Sequence, residues 1–187
     1  TCALPISAPA TVTVTVEKTK SGVEYQDTED NPSAAAAQYL AEKGAFTGAR
    51  IGGNYYFEPK RSVSRAEFLA MTMELAKLPA DAVTMTGFSD DEAIPTWAKS
   101  YAAAGLTEGI VRGVSTETGA AFRGSAPVTF NEAAAILDRV LTVGDVDLAT
   151  WYADRDAVPS WAAQAVGNLE AVSVMAAGSF GSATLAQ

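Results

Sequence analysis

The sequence predicts an all-α fold of three tandem helix-loop-helix repeats, with a short N-terminal β-strand tail. Three observations carry this. Aromatic-x-Asp recurs as Tyr25-Gln26-Asp27, Phe88-Ser89-Asp90 and Tyr152-Ala153-Asp154, the three Asp residues being 63 and 64 residues apart. Pro-[Ser/Thr] then opens an Ala-rich stretch at Pro32-Ser33, Pro95-Thr96 and Pro159-Ser160. Ser64-x-x-Glu67 and Thr129-x-x-Glu132 each lead into apolar residues at helical spacing. A fixed period means stacked copies of one supersecondary unit, so function belongs to each copy and to the seams between copies.

The elements follow in order. Residues 1–22 read as a tail, with an adapter-like start from Thr1 to Ile6. Thr11 to Val16 alternates Thr and Val, a strand by period and by β-propensity. It reads as the last strand of a domain fused upstream. The first repeat spans 23–80. Its first helix starts after Pro32-Ser33, ends near Gly44 and carries Tyr39 and Leu40. Its second helix opens at Ser64 with Phe68, Met71, Leu75 and Leu78 as the expected apolar stripe.

The second repeat spans 86–142. Its first helix runs from Thr96 to Gly105 with Trp97, Tyr101 and Ala104. Its second opens at Thr129, with Ala133, Ile136, Leu137, Val140 and Leu141 facing inward. Asp90 to Phe130 is two residues longer than Asp27 to Arg65, and the excess is assigned to the loop. The third repeat, 150–187, has a first helix from about Ser160 to Ala171 and stops soon after Ser179-Phe180, before a second helix. Trp161, Val166 and Leu169 join the expected core.

Composition excludes several functions. The 187 residues carry 22 acids against 13 bases, for a net charge of −9. That argues against nucleic acid, which needs a basic face. An anionic ligand needs a local basic group working against the global field. There is no His and a single Cys, so the commonest general base, an internal disulfide and a thiolate metal cage are all missing. No apolar run is long enough to span a bilayer. Asp27-Thr28-Glu29-Asp30-Asn31 fails as an EF-hand because Pro32 takes the sixth position. With no cofactor motif and no catalytic pairing, the sequence reads as a non-enzyme.

The ordered set Tyr25-Gln26-Asp27, Gly44-Ala45-Phe46-Thr47-Gly48, Phe57-Glu58-Pro59 and Ser64-Arg65-Ala66-Glu67 resembles the S-layer homology (SLH) repeat. The second copy offers Phe88-Ser89-Asp90, Trp97-Ala98, Gly105-Leu106-Thr107-Glu108-Gly109 and Thr129-Phe130-Asn131-Glu132. The third offers Tyr152-Ala153-Asp154 and Trp161-Ala162. The resemblance implies a helical pseudo-threefold bundle with ligand grooves between neighbouring repeats. It implies a non-catalytic, extracellular module that anchors a bacterial surface protein to the cell wall. The implied partner is an anionic, often pyruvylated, secondary cell-wall polysaccharide or another peptidoglycan-linked polymer. The competing reading is a degenerate SLH-like array with a structural or protein-interaction role.

The candidate ligand residues are Arg65, Ser64, Glu67, Asp27, Asp90 and Trp97. Ser64 and Glu67, like Thr129 and Glu132, also have capping-box spacing, the preferred role on residue grounds. Capping does not require Arg65, and the helix dipole disfavours a cation there. Its guanidinium can hold a carboxylate beside free helix-terminal amides, or can pair with Glu67 or Glu58 on the surface. Phe130 stands at the Arg65 position in the second copy, so that groove is expected to be degenerate. Trp97 and Trp161 either stack on a sugar or anchor their helices in the core, the second being preferred. Asp27, Asp90 and Asp154 are expected to brace the turn before each first helix and to border the groove.

Overall fold

The computed structural model describes residues 21–151 and 158–175. The expected strand Thr11–Val16, the third aromatic-x-Asp and the Ser179-Phe180 end of the third copy lie outside the described residues. In the first unit, α1 (Ala34–Glu42) is followed by strands β1 (Ala49–Ile51) and β2 (Asn54–Tyr56), then α2 (Arg65–Ala76). The second unit has a 3-10 turn at Asp91–Ala93, α3 (Thr96–Thr107), β3 (Val114–Thr116), β4 (Gly119–Ala121) and α4 (Phe130–Leu141). A short α5 (Leu148–Trp151) and α6 (Ser160–Ala171) complete the described chain. The fold is mainly helical, but in the first two units the expected loop contains an antiparallel β-hairpin. Ala49 pairs with Tyr56 and Val114 with Ala121 at corresponding places.

The hairpins correct the alignment of the two units. Gly44 and Gly109 both have positive φ, as do Gly48 and Gly113. Phe57 and Phe122 follow the hairpins, and all three pairs are 65 residues apart. The counterpart of Gly44-Ala45-Phe46-Thr47-Gly48 is therefore Gly109-Ile110-Val111-Arg112-Gly113. The segment starting at Gly105 is instead helix: Gly105 is buried within α3. The two extra residues of the second unit lie before Gly109, where α3 has 12 residues against 9 in α1. They do not lengthen the loop.

Asp27 and Asp90 tie each unit together. Asp27 accepts from the amides of Phe57 and Glu58 at 2.8 and 2.7 Å. Asp90 accepts from Phe122 and Arg123 at 2.7 and 2.8 Å. Each carboxylate thus clamps the far end of its hairpin, rather than only the turn beside it. Gly48 completes the first hairpin. Its φ is +69°, and a Cβ there would lie 2.2 Å from the carbonyl oxygen of Tyr56. Gly48→Ala is expected to destabilise the protein by about 2–4 kcal/mol in urea denaturation. Gly44→Ala, with nothing within 4 Å of a new Cβ, should cost only about 1 kcal/mol.

The main core lies between α2, α3 and the second hairpin, with Leu69, Met73, Phe88, Ala98, Ala102, Val111, Phe122 and Ile136. Helix α2 buries Ala66, Leu69, Ala70 and Met73. Of the expected stripe, Phe68 and Leu78 pack against this core as partly buried side chains. Leu75 is 41% exposed, while Phe68 and Met71 flank a smaller cluster of Val63, Val128 and Ala133. On α3 the inward row is Ala98, Ala102 and Gly105, small residues that let helices approach closely. Tyr39, Trp97 and Trp161 are each more than half exposed, so none is a core anchor. Helix α6 instead buries Ala162, Val166 and Leu169 against Ala134 and Ala135 of α4.

Asp91 secures the entry to α3. It accepts from the Thr86 amide and hydroxyl at 2.7 Å each, and from Lys99 Nζ. Lys99 and the two Thr86 bonds hold its carboxyl down to about 2. A depressed folded value stabilises above the unfolded carboxylate range, near about 4. This contribution is lost as pH falls from there through about 2. An NMR pH titration should show the Asp91 midpoint rising in Lys99→Met.

Candidate binding clefts at the seams between units

The start of α2 is built from both units. Val128 N donates to Val63 O, Arg65 N to Ala126 O and Ala66 N to Gly124 O, at 2.8 to 2.9 Å. The Ser64 hydroxyl accepts from Glu67 N, and the Glu67 carboxylate accepts from Ser64 N. Thr129 and Glu132 form the same box at α4. Ser64 and Glu67 are therefore engaged in capping. The first amides of α2 are bonded to the second unit, so the free amides expected beside Arg65 are absent.

Arg65 pairs with neither Glu67 nor Glu58. Arg61 holds both, at 2.9 and 3.3 Å. Burial raises the Glu67 carboxyl, but Arg61 and Ser64 outweigh it and leave the group below its ordinary value. Arg65 crosses the seam to Glu132 at 2.7 Å, with its side chain 11% exposed. Its guanidinium also lies 5.8 Å from the Phe122 ring centre, in range of a cation–π contact. Its Nε is buried with no hydrogen-bond partner among the described residues.

This arrangement places Arg65 in a cleft of about 430 Å³ between α4 and α6. Arg112, Arg139, Glu132, Ile136 and Trp161 also line it. Arg139 donates to Ile110 O at 2.8 Å, which orients it along the Gly109–Gly113 segment. Burial and the nearby Arg112 lower its pKa, opposed by Asp138, and Arg65 adds to the lowering. Among the described residues, neither Arg112 nor Arg139 forms an ion pair. Among the described residues, three guanidinium groups and one carboxylate thus line this cleft of a strongly acidic chain. Phe130, the residue behind the expected degeneracy of the second groove, lines neither this cleft nor the one between α2 and α3.

A second cleft, of about 370 Å³, opens between α2 and α3. Trp97 and Tyr101 line it with Phe46, Met71, Glu67 and Glu74. Trp97 therefore borders a cleft, but not the one that contains Arg65. Asp27 and Asp90 line neither cleft and act through the hairpins. Sequence reasoning missed Arg112 and Arg139. The signal was the face of α4: Glu132, Ile136 and Arg139 recur at helical spacing.

Fold and clefts together define a mainly helical protein with two small hairpins and ligand-sized openings between α4 and α6 and between α2 and α3. Residues 87–134 match the S-layer homology domain, from just before Phe88 to the first turn of α4. That domain implies a non-catalytic cell-wall anchoring module, polymer binding and association with the cell surface. Among curated proteins no match to the chain was found. Among the described residues no helix is long and apolar enough to cross a membrane.

Proposed function

We propose that the chain is a non-catalytic anchoring module whose α4–α6 cleft seats an acidic group of a secondary cell-wall polysaccharide, such as a pyruvyl ketal. The observation that carries this reading is the convergence of Arg65, Arg112 and Arg139 beside the exposed Trp161. A guanidinium can grip a carboxylate through two parallel hydrogen bonds, and an indole can stack on a pyranose face. The local cations oppose the field of a chain with net charge −9.

The reading extends to a third copy. Pro159 and Pro95 have nearly identical backbone angles at the entries to α6 and α3. Ala162 N and Ala98 N donate back to Pro159 O and Pro95 O at 2.9 and 2.8 Å. These likenesses support α6 as the first helix of a third repeat in a pseudo-threefold bundle.

The engaged Arg65 favours one rival. Its bond to Glu132 suits a structural staple, as expected of an array without a carbohydrate site. Sedimentation with purified cell walls separates the two. Retention should fall when the polysaccharide is extracted or its carboxyl groups are reduced. Retention indifferent to both treatments would favour the structural array.

A further inference from the structure

We propose that the α2–α3 cleft is a separate site for a sugar bearing a free, protonated amine. This goes beyond the anion reading and does not depend on it. The two clefts occupy corresponding places but have opposite charge. Glu74 stands where Arg139 stands in the other unit, and Thr47 where Arg112 stands, each 65 residues apart. Trp97 and Trp161 occupy the same place at the start of α3 and α6. Among the described residues no Lys or Arg lines the α2–α3 cleft.

Its chemistry suits a cationic pyranose. The Trp97 indole is 54% exposed, and Phe46 and Tyr101 are also in the lining. Aromatic faces stack on sugar rings and attract an ammonium group. Tyr101 donates its hydroxyl to Glu74 Oε1 at 2.6 Å. That bond raises the Tyr101 pKa, with burial adding to it, so the phenol remains a donor. It fixes the Glu74 carboxylate, whose Oε2 has no hydrogen bond among the described residues. Glu67 is already held by Arg61 and by its cap. Glu74 is therefore the carboxylate available to an ammonium, and Trp97 the platform for the ring that carries it. A volume of about 370 Å³ falls within the range of small-ligand pockets.

The test follows indole N–H signals of the full chain by NMR during titration with a β-1,4-linked glucosamine tetrasaccharide. The Trp97 signal should shift saturably. Full N-acetylation of the probe should weaken binding at least about 10-fold, as should Glu74→Gln, which keeps an oxygen for Tyr101 to bond. Trp97→Ala should abolish binding with the fold intact by circular dichroism. Equal affinity for the acetylated sugar, or for Glu74→Gln, would overturn the proposal. So would absence of binding, a response at Trp161 instead of Trp97, or equal binding of tetralysine, which would mark a generic cation site. Loss of wall binding through the α4–α6 cleft leaves these readouts unchanged, so the two proposals fail separately.

Discussion

Arg65→Ala is expected to weaken binding of a carboxylated wall fragment by about 10- to 100-fold. One charge-assisted bidentate contact contributes about 1.5–3 kcal/mol, and 1.4 kcal/mol is a factor of ten. The same change should lower folding stability, because Arg65 also joins the units. It bonds Glu132 at 2.7 Å and packs over Phe122. Its removal leaves a partly buried carboxylate without its cation, costing about 2–3 kcal/mol. Arg65→Lys should restore part of each effect, since an ammonium keeps the charge but lacks the planar fork. Arg139→Gln separates the two roles. Arg139 has no ion pair among the described residues, so affinity should fall about 10-fold while the seam holds. Calorimetric titration and urea denaturation of all three variants provide the check.

Asp90→Ala, which unclamps the end of the second hairpin, should destabilise the protein by about 2–4 kcal/mol. The carboxylate accepts two amide bonds, and hydrogen bonds to charged groups each contribute about 1.5–3 kcal/mol. The Phe122 amide loses its partner next to a ring that is fully buried and stacked on Phe88 at 5.3 Å. Arg123 is exposed, so water replaces its lost bond and the total is less than twice the single value. Asp27→Ala should cost less. Phe57 packs edge-on against Tyr25 and Phe46, outside the main core cluster. Denaturation midpoints should therefore fall further for Asp90→Ala than for Asp27→Ala, and Asp90→Asn should fall between wild type and Asp90→Ala.

What the sequence revealed, and what it hid, has physical causes. The capping boxes were legible because they are local: Ser64–Glu67 and Thr129–Glu132 satisfy their own helix ends. The bounds of α6 were legible from Pro159 and the Ala-rich run. The hairpins were not, because strands of three residues carry too little alternation to register. Gly52-Gly53 was the available turn signal in the first. The exposed tryptophans were misread because indoles usually supply core area. Here the buried rows are Ala98, Ala102 and Gly105, and Ala162, Val166 and Leu169. Each Trp lies one residue before its row and so faces a cleft. The anion-holding residue was sought at one motif position, whereas the cleft collects guanidinium groups from α2, the Gly109–Gly113 segment and α4. That convergence depends on tertiary packing, which the motif spacing does not encode.

The most direct test of the central claim is an NMR titration of the isotope-labelled chain with a pyruvylated disaccharide at fixed ionic strength. The expected result is a saturable shift of the Trp161 indole N–H together with the Arg112 and Arg139 side-chain Nε–H signals. Those shifts should disappear in the Arg112→Gln/Arg139→Gln double variant. Trp161 and both arginines unperturbed at saturating ligand, or shifts that survive the double variant, would contradict the assignment of the α4–α6 cleft as the anion seat.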